Sequence, residues 1–171
     1  MGLDTSAYRG LSRYLGELDA NKEPVDGDID GTRLYANPDF PHCAPEIEDG
    51  FYQYEEWQDG IGYPYSYHMR FRDELAKLSG WPDTTYEQHG REWPSYTASA
   101  WKATGGPFWE LLNFSDCEGA IGTTACVKLA RDFAEFQAKA DAHPDERFRE
   151  NYATWRRNFE FASDRGAVKF H

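Results

Sequence analysis

The chain is poor in cysteine, in β-branched and thioether side chains and in long apolar runs, and each shortage excludes a class of protein. Its three cysteines, Cys43, Cys117 and Cys126, leave one thiol unpaired under any scheme, and no C-x-x-C spacing offers a zinc knuckle or a redox pair. A complete disulfide framework is excluded. No apolar leader segment is present, so the reduced cytoplasm is the expected compartment. No run approaches the ~20 apolar residues of a membrane-spanning helix. Met1-Gly2-Leu3-Asp4-Thr5-Ser6 fits a loose myristoylation pattern, yet no basic cluster supplies the second signal that stable anchoring needs, and no membrane partner is expected. The phosphate-binding loop, the dinucleotide fingerprint, H-E-x-x-H and G-x-S-x-G are all missing. The sequence therefore leans towards binding and away from catalysis.

Only three valines, four isoleucines and two methionines are available for a core, against 28 phenylalanines, tyrosines and tryptophans. Each ring buries about 150–250 Å², so the core is expected to be aromatic. The chain of 171 residues is expected to form a single domain, 1–171, with an acidic loop-rich segment at 17–60. A domain of that size buries roughly 70% of its unfolded surface.

The N-terminus is ambiguous: Leu3 to Tyr8 reads as extended, while Tyr8, Leu11, Leu15 and Leu18 recur at helical spacing. Short strands are expected at Thr32–Ala36 and, as an edge, at Phe51–Trp57. Ser66 reads as the cap of a helix carrying Tyr67, Phe71, Leu75 and Leu78 inward and Arg70, Arg72, Asp73 and Lys77 on its wetter sides. Asp83 to Ala103 is expected to be loop with a short helix around Ala98–Lys102, and Pro107 opens another short helix with Phe108, Leu111 and Leu112 inward. Two apolar stripes follow, Cys126-Leu129-Phe133-Phe136-Ala140 and Phe148-Tyr152-Trp155-Phe159, with Thr123 or Thr124 as the first cap. Their short link, Asp141–Pro144, predicts an antiparallel helical hairpin, and Ala167 to His171 alternates like a closing strand. The fold class is α+β: a small β-sheet with packed helices and that C-terminal hairpin.

Charge is concentrated. Of the twelve net negative charges, eleven lie between Glu17 and Gly60, where thirteen acidic residues face only Lys22 and Arg33. An acidic interaction face is expected from Asp26, Asp28, Asp30, Glu46, Glu48, Asp49, Glu55, Glu56 and Asp59. Such a field disfavours direct nucleic-acid binding and favours a protein partner with a basic surface. Asp26, Asp28 and Asp30 alternate before Gly31 as in a calcium loop, which makes them the candidate ligands for a divalent cation, although position twelve of the loop is Asn37 rather than Glu. A solvated turn is the rival reading.

A second cluster lies between Gly105 and Gly119. Glu110 and Asn113 share a helix face, and Asp116 and Glu118 follow before the next helix, an arrangement that suits a metal, an acid–base pair or simple helix capping. Tyr67, Arg72 and His171 are the candidate companions of this cluster.

Met1-Gly2-Leu3-Asp4, Asn37-Pro38-Asp39-Phe40-Pro41, Ser66-Tyr67, Asn113-Phe114-Ser115-Asp116-Cys117-Glu118-Gly119 and the Ala167–His171 ending together resemble uncharacterised proteins of tailed phages and prophages, nearly end to end. Met69 and Arg70 depart from the tyrosine-containing helix entry of that group. The resemblance implies a phage-type protein in the cytoplasm of a bacterial host. Combined with the charge, it gives the leading expectation of a small acidic binding protein that inhibits a host defence or nucleic-acid-binding complex. The alternative is a metal-dependent enzyme or a protein that binds a small, nucleotide-like ligand through Glu110, Asn113, Asp116 and Glu118.

Overall fold

A computed structural model of the chain describes residues 2–114 and 119–171. In chain order its elements are β1 (Gly2–Arg9), β2 (Ser12–Arg13), β3 (Thr32–Leu34), a single 3-10 turn (Pro41–Cys43), β4 (Gly50–Gln53), β5 (Glu56–Pro64), α1 (Tyr65–Leu78), β6 (Thr84–Gln88), β7 (Arg91–Ser95), α2 (Thr97–Ala100), α3 (Trp109–Asn113), β8 (Gly119–Gly122), α4 (Thr123–Asp141), α5 (Glu146–Ala162) and β9 (Ala167–Phe170). The class is α+β, as the sequence predicts.

The organising layer is a four-stranded antiparallel sheet in the order β5-β1-β9-β8. Strand alternation gives it two faces. Leu3, Ala7, Ile61, Tyr63, Ile121, Val168 and Phe170 point into the main core with the helices. Ala120 and Ala167 point the other way, into a smaller core with Leu34, Ala44, Ile47 and Tyr52. That second core is roofed by the three-stranded sheet β2-β4-β3. Much of the acidic segment is thus folded over the outer face of the sheet.

The helical face is aromatic. Trp155 of α5 is fully buried, stacked with Phe159 at 5.5 Å and Phe170 at 5.7 Å, and its indole N–H donates to the Tyr63 hydroxyl at 2.9 Å. Tyr152 donates to the Phe133 carbonyl at 2.7 Å, tying α5 to α4. Asp145 caps α5, its carboxylate accepting from the amides of Arg147 and Phe148. β9 enters the sheet at Gly166, where a Cβ would lie 2.0 Å from the Tyr8 carbonyl oxygen. Only glycine fits that crossing.

Several local expectations give way to tertiary partners. The N-terminal segment is the strand β1, and Leu15, part of the competing helical spacing, is 89% exposed. Phe51–Trp57 is split between two sheets, as β4 and the start of β5. Ser66 is not a cap; Pro64 occupies that position with no side-chain bond. Neither threonine caps α4, whose cap residue is Gly122, and the Thr124 amide donates instead to Glu46 at 2.8 Å. Asp83–Ala103 contains an unforeseen hairpin, β6–β7. Arg72 is not on a wet side: it is buried.

Replacing Trp155 with Ala removes the central ring and the indole N–H that the Tyr63 hydroxyl accepts, so the variant should lose about 3–5 kcal/mol of stability. A urea midpoint unchanged from the parent would show that the stack is not the keystone of this core.

Candidate functional site

The β6–β7 hairpin turns through His89 and Gly90, with φ of 54° and 72°. Positive φ at both central residues is the requirement of a type I′ turn. Tyr86 and Trp93 sit directly opposite each other, and Tyr86 meets Trp101 edge-on at 5.4 Å. The root of the hairpin is held by one side chain. Asp73 Oδ1, on α1, accepts from Ser95 Oγ at 2.8 Å, the Tyr96 amide at 2.8 Å and the Thr97 amide at 3.0 Å. The carboxylate caps α2 from another helix and fixes the hairpin over α1.

Between them runs a groove of about 870 Å³. Its walls carry Phe40, Tyr65, Tyr86, Trp93, Trp101 and Met69, and its polar members include Ser66, His68, Arg72, Gln88, Thr97 and Asn113. Trp93 and Trp101 are each 46% exposed. His68, Arg72 and Thr97 are buried. The Tyr63 hydroxyl, already receiving the Trp155 N–H, lies within hydrogen-bonding distance of His68 Nδ1, at 3.2 Å. Burial pushes the Tyr63 phenol up, so it stays protonated. Arg72 Nη1 donates to the Leu112 carbonyl at 2.8 Å, and Asn113 Nδ2 donates to the Trp109 carbonyl at 2.8 Å.

Of the sequence-predicted cluster, Arg72 and Asn113 meet in this groove. The others with described positions do not join them. Glu110 pairs with Lys128 at 2.7 Å; Lys128 also reaches Asp132 at 2.9 Å and the Gly106 carbonyl at 2.5 Å. Asp132 in turn accepts the Phe108 amide at 2.7 Å, where φ is 55°. Glu110 is therefore part of a network that pins a left-handed turn against α4. Tyr67 accepts from Asn151 at 3.2 Å and lies under Arg147 at 3.9 Å. His171 Nε2 lies 3.0 Å from Ser6 Oγ. Asp116 and Glu118 lie outside the described residues.

The acidic face is also partly neutralised. Glu48 pairs with Arg13, Asp49 with Lys22 and Arg33, Glu55 with Arg165, and Glu56 with Arg9. Hydrogen bonds from Lys22 and then Arg33 hold the Asp49 carboxyl below its ordinary value. Glu46 serves α4. Asp26, Asp28, Asp30 and Asp59 are exposed, with no ion pair among the described residues. No three His, Cys, Asp or Glu side chains among the described residues gather to hold a metal ion. Asp26, Asp28 and Asp30 accordingly form no cation cage among the described residues; Cys117 lies outside those residues.

Sequence reading missed Asp73 as an anchor and the Tyr86-Trp93-Trp101 wall. The available signal was His89-Gly90 between two strand-prone stretches. The chain matches no known protein family, no characterised protein and no solved structure.

Replacing Asp73 with Ala leaves the Tyr96 and Thr97 amides without their acceptor and should cost about 2–3 kcal/mol. Hydrogen exchange of the hairpin amides should accelerate more than that of α5; equal protection in both would remove Asp73 from its anchoring role. Burial, then the nearby Glu110 charge, pushes the Cys43 thiol up to about 12, and burial raises Cys126 as well. Both stay protonated at pH 8. In a Cys117→Ser variant, which retains only these two thiols, a disulfide reagent at pH 8 should label nothing until the protein unfolds.

Proposed function

We propose that this chain is a binding protein whose working site is the groove between α1 and the β6–β7 hairpin. One observation carries the reading: half-exposed Trp93 and Trp101 line a cavity of ligand-binding size beside buried polar groups. Small-molecule sites are typically such apolar concavities of roughly 300–1,000 Å³ with a few placed polar groups. Rings left half exposed in a chain that buries most of its aromatics are surface held ready for contact. Binding is favoured over catalysis because the carboxylates that the described residues place in this wall are engaged structurally, Asp73 with its three donors and Glu74 with His143 at 3.4 Å.

A second reading keeps the acidic segment as a partner surface. Asp26, Asp28, Asp30 and Asp59 remain exposed, while Glu46, Glu48, Asp49, Glu55 and Glu56 have found arginines, lysine or a helix terminus. In a phage-type setting their partner is a basic host protein, such as a defence or nucleic-acid-binding complex, met by charge complementarity and sensitive to salt.

The two surfaces separate by mutation. A thermal-shift panel of saccharides, nucleosides and amino acids should give a hit, and a ligand at a hundred times its dissociation constant adds about 2.7 kcal/mol. That shift should vanish in Trp93→Ala and Trp101→Ala and persist when Asp26, Asp28 and Asp30 are changed to Lys. A hit that persists in both Trp variants would sink the groove reading. Retention of every host partner at low salt by the triple-Lys variant would sink the acidic one.

A further inference from the structure

Taking the groove as the binding site, we propose that its ligand is an uncharged carbohydrate, seated ring by ring on the exposed indoles. This deepens the preceding reading and rests on it. The first argument is the form of the wall. Tyr86 lies directly opposite Trp93 in the hairpin and edge-on to Trp101 at 5.4 Å, so Tyr86 stands between the two indoles that line the groove. Trp93 and Trp101 each leave 46% of their surface uncovered. An indole face is an apolar plane with a negative quadrupole. It complements the C–H face of a pyranose, which is apolar and carries slight positive charge on its hydrogens.

The second argument is charge. Among the described residues, each charged side chain in the wall already holds a protein partner: Arg70 with Asp145 at 3.4 Å, Arg72 with the Leu112 carbonyl at 2.8 Å, Asp73 with the hairpin root, and Glu74 with His143 at 3.4 Å. A phosphate entering the groove would have to compete with the Leu112 carbonyl for Arg72, and an ammonium with the Ser95 hydroxyl and the Tyr96 and Thr97 amides for Asp73. The chain's net charge of −12 adds a repulsive field against any anionic ligand. Sugar hydroxyls need no counter-charge. They find neutral donors and acceptors in Ser66, Gln88 and Asn113, which share the groove. A wholly apolar peptide would cover those polar groups without replacing their water, at a cost for each. The space, about 870 Å³, admits a short oligosaccharide.

The test is titration calorimetry and tryptophan fluorescence with oligomers of glucose, xylose, mannose and N-acetylglucosamine, alongside adenosine monophosphate and a Lys/Arg-rich peptide. At least one neutral oligomer should bind, with an affinity that does not change between low and high salt. Trp93→Ala and Trp101→Ala should each weaken it roughly tenfold or more. Trp93→Phe should recover most of the loss, which separates stacking from folding. Trp57→Ala, at an exposed tryptophan outside the groove, should change nothing. If none of the four oligomer series binds, the proposal is overturned. If the nucleotide or the peptide binds instead and the Trp93 and Trp101 variants abolish it, the carbohydrate is wrong and the groove stands. If a saccharide binds and both variants retain it, the groove reading falls with this one.

Discussion

The placement of β9 is the constraint on which the rest of the structure depends. Four residues near the end of the sequence lie between β1 and β8 and pair with both, so the sheet is incomplete until almost the whole chain is present. Such non-local pairing carries a loop-closure cost that local contacts cannot offset early. It is accepted at Gly166, the one residue whose missing Cβ lets the backbone pass the Tyr8 carbonyl. Once seated, β9 directs both faces of the sheet. Phe170 stacks on Trp155 and meets Phe114 edge-on at 4.7 Å, which fixes α5 and the exit of α3, while Ala167 turns into the smaller core under the acidic segment.

The groove inherits its geometry from that arrangement. Trp155, held against Phe170, donates to Tyr63, and Tyr63 contacts His68, so a chain of polar contacts links the aromatic core to the inner wall of the site. The outer wall is a two-stranded hairpin, which has too little buried surface to persist unaided in water. Asp73 supplies the missing constraint through its bonds to Ser95, Tyr96 and Thr97. Lys77 lies over the Tyr96 ring at 5.7 Å, adding a cation contact at the same root. The inner wall is therefore rigid by packing and the outer one by a few charge-assisted hydrogen bonds. Rings mounted on such an arm can adjust to a ligand without disturbing the core.

The features legible in the sequence are those set by local periodicity. The stripes of α4 and α5 repeat at helical spacing over nearly five turns, and Asp145 caps from the adjacent position, so both helices and their hairpin follow from neighbouring residues alone. β8 is Gly-Ala-Ile-Gly; four residues with two glycines carry no strand signal, and only the neighbouring β9 makes them one. The same contrast governs the site. Arg72 and Asn113 were identifiable as polar groups near rings, but their meeting depends on α1 packing against α3. Glu110 looked like a free carboxylate because its partner, Lys128, lies on another helix. Asp73 looked like a solvated charge because the amides it caps come more than twenty residues later.

The acidic segment shows how a composition signal changes meaning on folding. Read along the chain, its carboxylates are a block of one sign. Folded, Glu48, Asp49, Glu55 and Glu56 meet Arg13, Lys22, Arg33, Arg165 and Arg9, several of which come from outside the segment, and Glu46 accepts the Thr124 amide at the start of α4. Exposed pairs of this kind contribute little stability individually, and their larger effect is on the field. Paired carboxylates present short-range dipoles, which decay faster than the unpaired charge of Asp26, Asp28, Asp30 and Asp59. A partner drawn by charge would therefore sense chiefly the exposed carboxylates with no ion pair among the described residues, including Glu17, Glu23 and Asp39 as well as Asp26, Asp28, Asp30 and Asp59, rather than all thirteen equally.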